Sequence, residues 1–209
     1  QGVWNVYKKV MAKLEEFGPM GYSSAGTVIA VANNVDDFAV GDRVACGGSS
    51  ANHAEVLFVP KNLCVKVPEE VSMQEAAYTT VGAIALQGVR QTAPTLGETI
   101  VVIGLGLVGQ ITIQILKAAG CVVIGIDLDP QAVVLARTLG ADAAFRRSAG
   151  GLHADIQSHT RGHGADAVII TAATTSSDPV QLAGEIAREK ARVVLVGDVG
   201  ITSHARHTI

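Results

Sequence analysis

A glycine-rich run between two apolar segments is the strongest chemical signal in the chain. Residues 104–109 read Gly-Leu-Gly-Leu-Val-Gly, and Asp127 follows at the end of the next apolar segment. In a strand–loop–helix unit, Gly104 permits the tight turn, Gly106 lets the backbone approach a pyrophosphate, and Gly109 lets the helix pack closely on the strand. The pattern therefore predicts a dinucleotide site, with the phosphates bound at the N-terminus of a helix.

The acid after the loop predicts which dinucleotide is bound. Asp127 would accept hydrogen bonds from the adenosine ribose hydroxyls, and its charge would repel a 2′-phosphate. Asp129 adds a second negative charge, and no Arg or Lys follows immediately. We therefore expect NAD(H) to be preferred over NADP(H). A methyl-donor or flavin site uses a similar strand, loop and acid, and a glycine turn that binds nothing is a third reading.

The loop must be positioned by the strands and helices around it, and the second half of the chain alternates the two. A capping box at Ser72 and Glu75 predicts a helix that runs toward Arg90. Strands are then predicted at 99–103, 122–126, 167–171 and 192–196, and helices at 107–119, 130–139 and 179–188. Apolar strands that alternate with helices are typical of a parallel sheet covered on both faces.

The first third of the chain has a different pattern. Apolar residues at helical spacing predict an amphipathic helix over residues 3–17. From Gly21 to Pro68, short β-rich runs are separated by turn residues. The predicted strands are 26–31, 43–46, 54–59 and 63–67. These indicate a small, mostly antiparallel, barrel-like unit.

Composition excludes several classes of protein and partner. The net charge is -3 and no basic stripe is present, which argues against nucleic acid and anionic membranes as partners. Residues 99–116 carry no formal charge, but three glycines and two glutamines argue against a membrane span. Cys46, Cys64 and Cys121 are widely spaced, so neither a disulfide framework nor a structural zinc lobe is predicted. With no export signal visible, we expect a cytoplasmic protein.

Several short segments, in order, resemble one family. They are Ala25 to Val28, Val40 to Val44, His53 to Glu55 with Pro60, Glu75 to Ala77, the glycine loop, Leu139 to Asp142, and Val193 to Gly197. In these the chain resembles the medium-chain dehydrogenase/reductase family, which includes zinc alcohol dehydrogenases and zinc-free quinone reductases. The resemblance implies an α/β fold, in which a Rossmann doubly wound parallel sheet is preceded by a partial GroES-like β-barrel domain. It implies a substrate domain over 1–79 and an NAD(P)-binding domain over 80–209.

The resemblance also implies roles for individual residues. Leu107 and Val108 would offer backbone N–H groups to the pyrophosphate, beside Gly104, Gly106 and Gly109, and Asp127 would hold the ribose. Thr171, Ala172 and Gly197, at strand ends, would line the nicotinamide side of the site.

The metal ligands of the zinc enzymes are missing from the matching positions. The family's Gly-His-Glu is replaced by Gly21-Tyr22-Ser23-Ser24, Val81 stands at a ligand cysteine, and the segment of the first ligand cysteine is absent. Catalytic zinc needs three N, S or carboxylate ligands, so no zinc is expected. Tyr22, Ser23 and His53 are the candidates for catalysis, and the other histidines (His153, His159, His163, His204 and His207) are expected on loops or the surface.

The resemblance implies an NAD(H)-dependent oxidoreductase that transfers hydride between nicotinamide and an alcohol or carbonyl substrate without zinc. A non-catalytic nucleotide-binding module or scaffold is the alternative, and a protein that binds no nucleotide is a third. In the variant motif at Tyr22 the chain also resembles a subgroup of the family. In that subgroup the dehydrogenase half is fused to a second oxidoreductase module, and its members are often associated with the metabolism of surface sugars. We expect a piece of a longer protein, with a small-molecule substrate of unidentified structure and a homodimer formed through the edge of the Rossmann sheet.

Overall fold

A computed structural model describes Trp4 and residues 20–148 and 150–201. The chain divides into two compact units, Gln1–Thr80 and Val81–Ile209. The helix expected over residues 3–17 lies outside the described residues, apart from Trp4. The assignment of a substrate domain and a nucleotide-binding domain to these parts of the chain stays a prediction.

The first unit contains a small antiparallel sheet. Its strands are β1 (Ser23–Thr27), β2 (Arg43–Gly47) and β3 (Cys64–Lys66), in the order β1-β2-β3. Val44, Cys46 and Ala51 are the buried centre of this unit. The antiparallel arrangement agrees with the turn-separated β-rich pattern of this region.

The strand expected at 54–59 was wrong. Residues 54–59 have no strand structure, and no described strand pairs with them. Val56 and Phe58 are 68% and 87% exposed, and only Val59 of this run packs against the core of the first unit. A period-two pattern produces a strand only where a neighbouring strand satisfies the backbone hydrogen bonds.

Two helices replace the single one expected after Ser72. The first, α1 (Met73–Ala76), has the expected capping box, in which Ser72 and Glu75 each accept from the other's backbone N–H. It ends where the Tyr78 N–H bonds the Glu75 carbonyl three residues back. The second, α2 (Thr79–Thr92), continues past Arg90.

The second unit is built on a five-stranded parallel sheet of order β6-β5-β4-β7-β8. Its strands are β4 (Thr99–Ile103), β5 (Val122–Asp127), β6 (Ala143–Arg146), β7 (Ala165–Ile170) and β8 (Ala187–Leu195). Every neighbouring pair is parallel. This confirms the predicted α/β class and its Rossmann sheet. Strand β6 was not predicted, and β8 begins five residues before the predicted 192 because an irregular register at Ala165 and Ala167 admits extra residues.

Helices cover both faces of this sheet. They are α3 (Leu107–Ala118), α4 (Pro130–Thr138), α5 (Leu152–His159) and α6 (Asp178–Ile186), of which α5 was not predicted. Alternate residues of β4 enter separate cores: Ile100 and Val102 pack in one, Val101 and Ile103 in the other. The segment 99–116 is thus a strand, a turn and a helix. Among the described residues, no helix is both long and apolar enough to cross a membrane.

Candidate nucleotide site

The glycine loop begins with a turn that only glycine accommodates. Gly104 follows β4 with φ +96°, a left-handed conformation that L side chains rarely adopt. A Cβ atom there would lie 2.5 Å from the backbone nitrogen of Ala172. The Gly104 N–H donates to the Ile126 carbonyl at 2.8 Å. The chain therefore turns sharply at the carboxyl end of β4, against both neighbouring strands.

Helix α3 starts immediately after this turn and has no side-chain cap. Gly106 is the N-cap residue, and a Cβ added to it would meet nothing within 4 Å. The N–H groups of the first helical turn, which include those of Leu107 and Val108, have no acceptor within the helix. Together with the helix dipole, these donors make the start of α3 a site suited to an anion.

Gly109 lets the first turn of α3 approach the loop. A Cβ on Gly109 would overlap the Gly104 carbonyl oxygen and lie 2.9 Å from Thr171 Oγ1. The Thr171 hydroxyl donates to the same carbonyl at 2.5 Å. The three loop glycines thus differ: Gly104 and Gly109 are needed by the protein's own packing, whereas Gly106 faces open space.

Asp127 lies beside the loop, and its carboxylate is hydrogen-bonded to the backbone. One oxygen accepts from the Leu105 N–H at 2.5 Å, and the other from the Asp129 N–H at 2.8 Å. Each carboxylate oxygen has a further acceptor position, so both can still receive a ribose hydroxyl. The Asp129 carboxylate instead accepts from the Gln131 N–H at 2.9 Å and caps α4. Of the two acids, Asp127 is therefore the one in contact with the loop.

A cationic residue that sequence reasoning missed lies next to Asp127. Arg146 is directly opposite Asp127 in the parallel register of β5 and β6. Its Nε donates to the Leu128 carbonyl at 3.2 Å, and the residue is exposed. Its neighbour Arg147 is engaged elsewhere, in a two-bond pair with Asp178. No local pattern could have found Arg146, because it lies nineteen positions after Asp127 in the sequence.

Thr171, Ala172 and Gly197 are brought together on the other side of the loop. The Thr171 N–H donates to the Ile103 carbonyl, and the Gly197 N–H to the Ile170 carbonyl, both at 2.9 Å. A Cβ on Gly197 would overlap the Ala172 carbonyl oxygen. The carboxyl ends of β4, β7 and β8 therefore meet here. In an open α/β sheet, this crevice beside the first strand is where ligands bind.

A buried glutamine, whose role was not predicted from the sequence, is hydrogen-bonded to the glycine loop. Gln110 Nε2 donates to the Leu105 and Ala132 carbonyls, each at 2.9 Å. Its Oε1 is buried and has no hydrogen-bond partner in the described part of the chain. The side chain joins the glycine loop to α4 and thereby restrains both elements that flank Asp127.

In the first unit, the candidate His53 lies against the segment that contains the candidate Tyr22. The imidazole of His53 packs against Gly21, since a Cβ on Gly21 would lie 2.6 Å from His53 Cδ2. Tyr22 is the next residue, is 48% exposed, and has a phenol without a hydrogen-bond partner among the described residues. These two polar side chains are both available to a ligand.

Ser23 is engaged within its own unit. Its hydroxyl donates to the Ala77 carbonyl at 2.6 Å and accepts from the Thr80 N–H at 3.3 Å. A hydroxyl has a single proton, so Ser23 cannot donate to a substrate without breaking the first bond. The neighbouring Ser24 hydroxyl likewise lies on the carbonyls of Ala51 and Asn52.

No group of three potential metal ligands occurs among residues 20–148 and 150–201. Val81, at the position of a family ligand, is 8% exposed. His153 lies 3.4 Å from Glu185, and His159 packs edge-on against Phe145. His163 is exposed, and His204 and His207 lie outside the described residues.

The residues present fit a dinucleotide. The open backbone at Gly106 leaves room for a pyrophosphate, and the uncapped first turn of α3 supplies donors for it. Asp127, at the end of the adjacent strand, supplies acceptors for a ribose. A dinucleotide has an anionic pyrophosphate joined directly to the adenosine ribose with its diol, and this matches the donors at α3 and the acceptors of Asp127.

Comparisons with known proteins identify relatives of this chain. Residues 108–206 match the family model described as zinc-binding dehydrogenase. The chain is 34% identical over 160 residues to D-guloside 3-dehydrogenase of Shigella flexneri, covering 75% of this chain and 45% of that protein. It is 29% identical over 147 residues to (R,R)-butanediol dehydrogenase of Bacillus subtilis, covering 58% and 42%. The chain thus spans about half the length of the curated relatives it matches.

Solved structures show the same fold. An alcohol dehydrogenase of Thermus sp. ATN1 superposes with a TM-score of 0.79 at 24% identity, covering 88% of this chain and 63% of that one. The 2R,3R-butanediol dehydrogenase of Bacillus subtilis does so with a TM-score of 0.74 at 25% identity, covering 88% and 60%. Together, the family-model match, the curated relatives and the solved structures support a medium-chain dehydrogenase/reductase, of which this chain spans part.

Proposed function

We propose that this chain is the nucleotide-binding part, with part of the substrate domain, of an NAD(H)-dependent oxidoreductase that works without catalytic zinc. The arrangement of the open Gly106 backbone, the uncapped start of α3 and the Asp127 carboxylate supports the nucleotide site. Bound there, NAD(H) would supply the hydride acceptor or donor. The protein's own contribution is to orient the nucleotide and to polarise the substrate oxygen.

Each residue then has a defined task in binding. The first-turn N–H groups of α3 hold the pyrophosphate, and Asp127 orients the adenosine ribose while its charge disfavours a 2′-phosphate. Thr171, Ala172 and Gly197 form the wall on the nicotinamide side. Tyr22 and His53 are the groups of the first unit that we propose to donate to, or exchange a proton with, the substrate oxygen.

The names of the relatives support a proposal for the substrate class. Two of the curated relatives are named for a guloside and a butanediol. We therefore propose a hydroxylated carbon of a sugar or a polyol as the group oxidised, and the corresponding carbonyl as the group reduced. The missing ligand cluster among the described residues and the Tyr22-Ser23-Ser24 motif favour a mechanism in which no metal polarises that oxygen.

The nucleotide site is tested by calorimetric titration of this chain with NADH and NADPH. Asp127→Asn should weaken NADH binding about tenfold or more, because a charged acceptor is lost, and should narrow the preference for NADH over NADPH. Asp129→Asn is the matched control, since it removes the same charge two residues away and Asn is as good a helix cap as Asp. Binding of neither nucleotide by the folded chain would refute the nucleotide site. Equal losses in both variants would refute the role of Asp127.

Ser23 favours a second candidate, a nucleotide-binding module without catalysis. The hydroxyl at the position of the family's ligand histidine is committed to Ala77 and Thr80. The two candidates are separated in the whole protein by following NADH absorbance with sugars and polyols. Turnover that a chelator leaves unchanged supports a zinc-free enzyme, and turnover abolished by the chelator and restored by zinc contradicts it. Nucleotide binding without turnover of any substrate supports the module.

A further inference from the structure

Two cysteines face each other across the small antiparallel sheet. Cys46 in β2 and Cys64 in β3 are direct partners in the register. Their Sγ atoms are 3.7 Å apart, within hydrogen-bonding distance for two thiols. The wide spacing of the cysteines in the sequence argued against a disulfide framework. That spacing does not show which residues face each other when the strands pair. The fold therefore makes a pair out of two cysteines that are far apart in the sequence.

The pairing type suits a covalent bond. The Val67 N–H donates to the Arg43 carbonyl at 2.9 Å, so Arg43 and Val67 form a hydrogen-bonded pair. Antiparallel pairs alternate in type, which makes Cys46 and Cys64, three positions along, a pair of the non-hydrogen-bonded type. Such pairs have Cα atoms about 4.5 Å apart and side chains close together, within the range that disulfides span. The sulfurs need to approach by about 1.7 Å to bond.

The two thiols differ in access. Cys46 is 8% exposed and packs with Val44 and Ala51 in the core of the first unit. Burial, followed by the hydrogen bond with Cys64, raises the pKa of the Cys46 thiol to about 12. Cys64 is only half-buried, and its Sγ otherwise contacts the Pro60 carbonyl at 3.5 Å. A small reagent from solvent therefore reaches Cys64 first.

We propose that Cys46 and Cys64 are an oxidation site at which hydrogen peroxide closes an intrachain disulfide. Cys64 attacks the peroxide: an S–O bond forms, the O–O bond breaks, the sulfur is oxidised to a sulfenic acid and the peroxide is reduced to water. Cys46 then attacks the Cys64 sulfur, the S–O bond breaks, and the oxygen leaves as water with the proton of the Cys46 thiol. Two thiols and one hydrogen peroxide thus give one disulfide and two waters.

The bond would close a loop that carries part of the candidate site. The segment between the two cysteines contains Ala51, Asn52 and His53, and the first two hold the Ser24 hydroxyl through their carbonyls. Gly48, in the same segment, lies against Leu63, next to Cys64. Oxidation would therefore tether the segment that positions His53 against Gly21.

The test is oxidation of the folded chain with hydrogen peroxide, followed by thiol counting and peptide mapping. We expect the count to fall from three free thiols to one, with a single cross-linked peptide pair containing Cys46 and Cys64, and full reversal by dithiothreitol. Cys121→Ser is the matched control, because it removes a buried thiol of the parallel-sheet unit and should leave the cross-link unchanged.

The order of the two steps is tested with single variants. In Cys46→Ser the sulfenic acid at Cys64 has no partner and should be trapped there by dimedone, whereas Cys64→Ser should react more slowly and show no cross-link. Three thiols that persist in the oxidised wild type, or a disulfide mapped to Cys121 or between two chains, would overturn the proposal. Because the wild type alone decides this, a variant that fails to fold does not weaken the test.

Discussion

Replacement of Gly106 by alanine should separate nucleotide binding from folding. Gly106 has φ -69° and ψ -168°, a backbone conformation that alanine adopts without strain. A Cβ atom there meets no protein atom within 4 Å. The apo protein should therefore tolerate Gly106→Ala with a change of no more than about 1 kcal/mol in its free energy of unfolding.

Gly109→Ala is the matched variant, with the same added methyl group three residues further along the same loop. Its Cβ would overlap the Gly104 carbonyl oxygen and crowd Thr171 Oγ1 at 2.9 Å. Over-packing of this kind costs about 1–3 kcal/mol. For a chain of this size, that corresponds to a fall in Tm of about 2–12 °C.

The binding assay should rank the two variants differently. In Gly106→Ala the methyl group occupies the space in which a pyrophosphate approaches the backbone, so NADH affinity should fall about tenfold or more, or about 1.4 kcal/mol. Thermal melts without ligand and calorimetric titrations with NADH measure both quantities on the same samples. If Gly106→Ala melts and binds NADH like the wild type, the loop does not contact the phosphates and the reasoning fails.

Three further substitutions test other parts of the structure. Ser23→Ala should destabilise the folded chain by about 1–3 kcal/mol, because it leaves Thr80 N–H without its acceptor, while NADH affinity in a titration stays unchanged. Arg146→Glu should weaken NADPH more than NADH, because it removes the cation beside Asp127; an unchanged ratio of affinities would contradict this role. Burial alone would raise the pKa of Asp166, but the hydrogen bonds from Arg188 and a backbone N–H lower that pKa below its usual 3.8. The ionised Asp166 therefore stabilises the folded chain above about pH 4, and this stabilisation is lost as the pH falls toward the folded-state pKa. Asp166→Asn should therefore lower Tm at neutral pH, and melts at decreasing pH should show the wild type and variant converging below about pH 4.

The parallel sheet could be predicted because its central strands are continuous apolar runs. Thr99–Ile103 and Val122–Asp127 are buried from both faces, so their sequences contain almost no polar residue. Strand Ala143–Arg146 and helix Leu152–His159 were missed because they are short, and the helix is mostly polar. Each segment follows strand or helical spacing over so few positions that its pattern cannot be distinguished from that of a loop.

The small sheet could be predicted only in part. The strands predicted at 43–46 and 63–67 were placed closely, but the first strand is Ser23–Thr27 rather than the predicted 26–31. The run at 54–59 alternates like a strand but has no neighbouring strand to pair with, and the run itself does not show whether such a neighbour exists. For the same reason the facing positions of Cys46 and Cys64 could not be foreseen.

The candidate site divides in the same way. The loop glycines and Asp127 have a fixed spacing along the chain, and the structure places them together as expected from that spacing. The roles of Arg146 and Gln110 could not be inferred from the sequence. Arg146 lies beside Asp127 because their strands pair in that register, and Gln110 contacts the loop by donating to two backbone carbonyls. The occupied hydroxyl of Ser23 also depends on a contact 54 residues away.

The carboxylate of Asp127, which accepts hydrogen bonds from two backbone N–H groups, constrains how the nucleotide preference that we propose could change during evolution. The same two oxygens that would select the ribose also accept the Leu105 and Asp129 N–H groups. Mutation of Asp127 to a small neutral residue would weaken the discrimination between NAD(H) and NADP(H) and would also remove the hydrogen bonds that hold the loop. Affinity for both nucleotides would therefore fall before affinity for one of them could rise. Proteins that evolve from such an ancestor to use NADP(H) should first acquire another acceptor for the Leu105 N–H. The replacement of Asp127 should follow that substitution and not precede it.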